Sequence, residues 1–150
     1  MNEGGWSPPK KPKNDQEYFE ALIRSVFSAG FSYKVIKTKW EGFREIFHNF
    51  NPYKIAQWTE SDILIAIESP KIVRNVKKIR ATVENAKNFI DLVKRYGTFE
   101  NYLKSLRDKP YNEISQIISK TFKWLGPSGT YFFLWRSNEK VPSWEELRHI

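Results

Sequence analysis

Between Ser25 and Lys37 the chain must end one helix and begin another within a few residues. Phe19, Leu22, Ile23, Val26 and Phe27 recur at helical spacing up to Ala29-Gly30. Beyond Ser32, a second run sets Val35, Ile36 and Trp40 on one side. Glycine takes a positive φ without steric cost and commonly ends a helix. Serine offers a side-chain oxygen to cap the next one. The stretch therefore predicts a tight corner between two helices, with Tyr33 at the restart. From the residues alone Tyr33 reads either as a packed corner aromatic or as one wall of a pocket for a flat ligand.

The same periodicity runs through the chain. Asn14 with Glu17 predicts a capping box for the first helix. A third helix is expected to carry Phe43, Ile46, Phe47 and Phe50, and Asn51-Pro52 to open a short one with Ile55 and Trp58. Thr59 with Asp62 starts another, which Ser69-Pro70 stops. The longest helix is predicted over residues 73–96, ended by Gly97, and a short one over Phe99 to Leu106. Ile114, Ile117 and Ile118 mark the next, ending near Phe122. An aromatic helix follows over Thr130 to Trp135, and Ser143 with Glu146 caps a last short one. No strand pattern competes and there is no internal repeat. The expected fold class is all-α: one compact helical domain over residues 14–150, preceded by an extended basic arm over residues 1–13 with Pro8, Pro9, Pro12, Lys10, Lys11 and Lys13. Within that arm Trp6 is expected to pack back on the domain.

Composition narrows the function. With 25 Lys and Arg against 17 Asp and Glu, the net charge is +8, the electrostatic footprint of a polyanion binder. The absence of cysteine excludes disulfides, thiolate catalysis and Cys-ligated zinc, and two histidines exclude a metal site built on several of them. No apolar run is long enough to span a bilayer, and no signal-peptide core precedes the first helix. A soluble cytoplasmic monomer with no metal, no cofactor and no membrane partner is expected.

Two regions could meet a polyanion. Leu125-Gly126-Pro127-Ser128-Gly129-Thr130 lies between two predicted helices, with Lys120 and Lys123 beside it. Glycine-containing turns that open a helix point backbone N–H groups outward, which suits a phosphate oxygen, although many such joints are purely structural. Lys71, Arg74, Lys77, Lys78 and Arg80 form a second cluster, for which a solvated helix face is the ordinary explanation.

Three separated segments resemble one family in the correct order. Ala29-Gly30-Phe31-Ser32-Tyr33 is similar to the Ala-Gly-Leu-Ser-Trp signature of the 3-methyladenine DNA glycosylase I family, within the helix-hairpin-helix glycosylases. Ile72-Val-Arg-Asn-Val-Lys-Lys-Ile79 with Glu84-Asn-Ala-Lys87 resembles its Ile-Val-Arg-Asn-x-x-Lys-Ile…Asn-Ala-Arg. Phe122-Lys-Trp-Leu-Gly-Pro-Ser128 resembles its hairpin, Phe-x-Phe-Val-Gly-Pro-Thr. In the wider superfamily's Leu-Pro-Gly-Val-Gly-Pro-x-x-Thr, Gly126, Pro127 and Thr130 match, and Trp124 stands at the first glycine.

The resemblance implies a base-excision repair enzyme for double-stranded DNA that carries alkylated bases. It would grip the duplex through Leu125, Gly126, Pro127, Ser128, Gly129 and Thr130 with Lys120, Lys123, Arg74 and Lys78. A 3-methyladenine-like base, flipped from the stack, would lie beside Tyr33, which occupies the family's pocket tryptophan position, and Trp6, which matches a Gly-Trp near the N-terminus. Hydrolysis of the N-glycosidic bond would leave an abasic site, without a lyase step. The chain departs from the family at Ser25, where the family has its pocket glutamate, so no catalytic residue is assigned. Glu20, Glu139, Glu145 and Glu146 are nearby carboxylates without an assigned role. The family's zinc ligands and the superfamily's catalytic Asp, here at Val141-Pro142-Ser143, are missing as well. A damaged-DNA-binding module that does not cleave, and a glycosylase for another lesion, remain alternative expectations.

Overall fold

The computed structural model describes residues 9–29 and 33–147, apart from the side chain of Trp144. They form nine α-helices and one 3₁₀ turn, with no strand among them. Helix α1 (Asp15–Ser28) starts where the Asn14 side chain accepts from the Glu17 N–H at 3.0 Å. The Glu17 carboxylate reaches back to Lys13 N rather than to Asn14, at 2.7 Å. The corner itself, residues 30–32, lies outside the described residues, as does Trp6.

The second and third helices predicted from the pattern are one continuous helix, α2 (Tyr33–Ile46), followed by the 3₁₀ turn His48–Phe50. Gly42, a poor helix former, stays helical inside it. A Cβ there would stand 2.1 Å from the Lys71 carbonyl oxygen, so only glycine lets the two segments touch. Next come α3 (Pro52–Ala56), with the Asn51 side chain as its cap, and α4 (Glu60–Glu68), which opens on the full Thr59–Asp62 capping box. Helix α5 (Val76–Tyr96) starts later than the apolar pattern implies, because the Asn75 side chain caps it by accepting from Lys78 N. Gly97, at φ 90°, ends it. Helices α6 (Phe99–Leu106), α7 (Tyr111–Thr121), α8 (Pro127–Arg136) and α9 (Trp144–Leu147) complete the chain. Helix α8 begins three residues earlier than expected, with proline at its first position.

Helix α5 packs against α1, α3, α4 and α6, while α1 also packs against α2 and α8. The core between them is aromatic. Phe89 stacks on Phe99 with centroids 4.4 Å apart and meets Phe19 edge-on at 5.2 Å. Toward the other end of α1, Phe27 meets Phe43 at 4.9 Å, and Trp40 stacks on both Phe43 and Phe50 at 5.0 Å. These rings exclude water around α1 and hold its last turn in a fixed place. Of the predicted arm, Pro12 is buried and Lys11 pairs with Glu100, so its last residues are docked on the domain. Among the described residues no helix is long and apolar enough to cross a membrane.

Candidate functional site

The hairpin is built by α5 as much as by its own turn. Phe122 leaves α7 in an extended conformation and Leu125 is buried. Asn85, 2% exposed on α5, donates to the Lys123 carbonyl at 3.1 Å and accepts from the Lys123 N–H at 2.7 Å. Asn88, one turn away, donates to the Thr121 carbonyl at 3.0 Å. Trp124 holds φ 60°, the left-handed conformation that a glycine takes without strain. Its ring is 52% exposed, with Lys77 Nζ 5.8 Å from the centroid.

The residues of the turn divide by role. Thr130 is fully buried, donating through Oγ1 to the Leu125 carbonyl at 3.3 Å and through N–H to the Gly126 carbonyl at 2.8 Å. Leu125 and Thr130 thus shape the turn from inside. Gly126, Pro127 and Ser128 lie on the outside with Lys120 and Lys123. No side chain caps Gly126, and proline at the first helical position leaves the following N–H groups as the donors at this end. Gly129 is buried against α1, where a Cβ would stand 3.6 Å from the Ser25 carbonyl oxygen. The turn and the corner are therefore neighbours.

The second basic cluster is mostly committed to the fold. Lys71 pairs with Glu45, and Arg80 forms a two-pronged bridge to Glu60 at 2.8 and 2.7 Å. Arg74 is exposed and donates to the Glu68 carbonyl at 3.2 Å. Lys78 departs from the expected solvated face: it is 5% exposed and its ammonium donates to the Ala29 carbonyl. A cation at this place complements the negative C-terminal end of α1. Burial pushes its pKa down.

At the corner, Ser25 is 2% exposed. Its hydroxyl donates to the Ala21 carbonyl at 2.8 Å and accepts from Arg136 Nη1 at 2.8 Å. Arg136, the last residue of α8, is partly buried, and desolvation brings its pKa down to about 10. Tyr33 opens α2 half-buried, with the Arg24 guanidinium 5.6 Å and Lys37 Nζ 5.7 Å from its ring centroid. Four cations thus gather on the corner: Arg24, Lys37, Lys78 and Arg136.

The candidate carboxylates are bonded to other groups or exposed. Glu20 accepts from Trp40 Nε1 at 2.9 Å and from Arg44 at 3.1 Å. Glu139 is held by Arg107 through two bonds of 2.9 and 2.7 Å, and Glu146 caps α9 through Ser143. Glu145 is exposed on α9. Among the described residues no cluster of His, Asp and Glu side chains could hold a metal ion.

Sequence reasoning missed Asn85 and Arg136. Asn85 stands inside one of the matching segments, and that match is the signal that could have found it. Arg136 meets Ser25 across 111 residues, and no local pattern announces it.

Comparison with known proteins places these features in context. The family model described as methyladenine glycosylase matches residues 3–134. The DNA-3-methyladenine glycosylase of Haemophilus influenzae is 31% identical, over 83% of this chain and 78% of that protein. DNA-3-methyladenine glycosylase 1 of Escherichia coli is 27% identical over 67% of this chain and 52% of its own length. Among solved structures, 3-methyladenine DNA glycosylase I from Staphylococcus aureus superposes with a TM-score of 0.78 at 26% identity, covering 91% of this chain and 82% of that one.

Proposed function

Since the chain belongs to the methyladenine glycosylase family, we propose that it is a DNA glycosylase of base-excision repair. In this reading the outer face of the hairpin takes the phosphates, a damaged base rotates out of the duplex to lie by Tyr33 and Ser25, and water cleaves its N-glycosidic bond. The observation that supports it is the close approach of Gly129 to the Ser25 carbonyl, by which the hairpin turn lies beside the corner.

The physical steps follow from that layout. A base inside a duplex is out of reach, so it must be extruded at a cost of a few kcal/mol, lowest for damaged or mismatched pairs. The hairpin N–H groups with Lys120 and Lys123 would hold the backbone while this happens. The Tyr33 ring offers a stacking face. The relatives are named for 3-methyladenine, which makes an alkylated adenine the reference substrate. Alkylation at N3 leaves positive charge on the base and weakens its bond to the sugar, so such a lesion asks little acid–base help from the protein.

The Ser25 hydroxyl supports a second reading, in which the chain binds damaged DNA without cleaving it. Serine cannot hold a negative charge, and this one has spent its proton on Ala21. The deciding experiment incubates the full chain with methylated duplex and with duplex that carries hypoxanthine, then separates and identifies freed bases. Release of any damaged base, leaving an abasic site, supports the glycosylase; tight binding with intact DNA supports the binding module.

A further inference from the structure

We propose that Trp124 is a DNA contact in its own right: its indole packs on the deoxyribose of the strand held by the hairpin, while Lys77 beside it meets the adjoining phosphate. This rests on the reading of the outer hairpin as the phosphate-binding element.

The argument begins with the backbone. Trp124 holds φ 60°, where a side chain carries strain that glycine would not. Its neighbours fix it there. Asn85 bonds both the N–H and the carbonyl of Lys123, and Leu125 is buried with its carbonyl accepting from Thr130. Such strain persists where the surroundings over-determine it, and it gathers at functional positions.

What the strained position holds is an indole in solvent. Trp40 is buried and Trp58 and Trp135 are half-buried, whereas Trp124 is 52% exposed. An aromatic surface of this size gains from being covered.

Charge indicates what covers it. Lys77 Nζ lies 5.8 Å from the ring centroid. Lys123 is the chain neighbour of Trp124 and Lys120 stands in the last turn of α7, both exposed. Among the described residues, no ion pair uses Lys77, Lys120 or Lys123. A neutral apolar partner would leave these ammonium groups without counter-charge. A DNA strand offers apolar sugar faces between anionic phosphates, the same alternation as an indole set among lysines. Inside a duplex the bases are stacked on one another and show no face to a ring. Sugar C–H surface is therefore what a ring beside a gripped phosphate meets, a contact that positions the protein without reading sequence.

The test measures the affinity of the full chain for undamaged duplexes by fluorescence anisotropy over a salt series. Phosphate contacts release counterions and set the salt slope, whereas sugar packing does not. Trp124→Gly accepts the φ without strain, so the turn keeps its shape. It should bind about tenfold more weakly at every salt concentration, with an unchanged slope and equally for A·T-rich and G·C-rich duplexes. Trp124→Phe should retain most of the affinity, and Lys77→Met should shallow the slope by about 1. Bound duplex should also protect one tryptophan of the unmodified chain from acrylamide quenching, a component that Trp124→Phe lacks. Unmodified affinity in Trp124→Gly, a changed slope in that variant, or a loss confined to one base composition or to single strands would overturn the proposal. If Lys120→Ala and Lys123→Ala leave the slope as it is, the hairpin reading fails and the Trp124 contact with it. If those variants move the slope while Trp124→Gly binds like the unmodified chain, the Trp124 contact alone fails.

Discussion

Asn85 and Lys123 exchange two hydrogen bonds between a side-chain amide and a main chain 38 residues away. The pair joins the longest helix to the turn between α7 and α8, so the hairpin takes its position from α5. Replacing Asn85 by alanine removes both bonds and leaves the partly buried N–H and carbonyl of Lys123 in need of partners. A loss of about 1–3 kcal/mol in unfolding free energy is expected. Affinity for undamaged duplex should fall in a folded sample, and unchanged affinity would show that the turn keeps its shape without the clamp.

The outer hairpin cations should act through charge. In a polyelectrolyte complex, log K falls by about 0.9 per neutralised phosphate for each log unit of salt. Lys120→Ala and Lys123→Ala should each weaken binding to any duplex and shallow the salt slope by about 1. Fluorescence anisotropy over a salt series measures both. A slope that stays put in both variants would move the phosphate grip away from this end of α8.

Tyr33 should affect chemistry before affinity. Most of the binding energy would come from the backbone, while stacking concerns only the extruded base. Tyr33→Ala should therefore reduce base release far more than duplex affinity. Equal losses in the two would assign Tyr33 to the packing of the corner.

Gly42 is a steric requirement. An alanine there would drive its methyl group into the Lys71 carbonyl, 2.1 Å away. Overpacking of this kind costs about 1–3 kcal/mol. Thermal unfolding of Gly42→Ala should show a lower midpoint, and one equal to that of the unmodified chain would mean that the 71–72 segment moves aside freely.

Stability should fall at both ends of the pH range. Glu60, bonded by Arg80, and Asp62 and Glu146, bonded within their caps, have pKa values lowered from 4.5, 3.8 and 4.5. Their stabilising contribution is complete above those unfolded values and is lost as pH drops through the lower folded ones. Tyr18, 2% exposed, has its pKa raised by burial, from 10.0 to about 12. The folded state keeps that proton while the unfolded chain releases it, so stability declines as pH rises from 10 to 12. Denaturant midpoints across the range, with phenolate absorbance to follow Tyr18, check both limbs.

The helices were legible because periodicity and caps are local: Asn14, Thr59 and Ser143 begin helices where the side-chain pattern puts them. Inference failed where the deciding contact was distant. The break expected after Trp40 does not occur, because Gly42 answers to Lys71 rather than to its own helix. Lys78 reads as a surface cation until the end of α1 is seen beneath it. The candidate site was legible only as positions along the chain: Ser25 in the last turn of α1, Tyr33 at the start of α2 and the hairpin ahead of α8. Its polarity was not legible, because Arg136 belongs to a part of the chain that no motif connects to Ser25.

Helix α8 has one end at the outer hairpin and the other at Ser25. Its ten residues make a stiff rod of about 15 Å, seated on α1 at Gly129. Under the proposed function, a duplex seated on the turn and a base lying by Ser25 would be held at opposite ends of one helix, so a substitution that breaks α8 would uncouple the two.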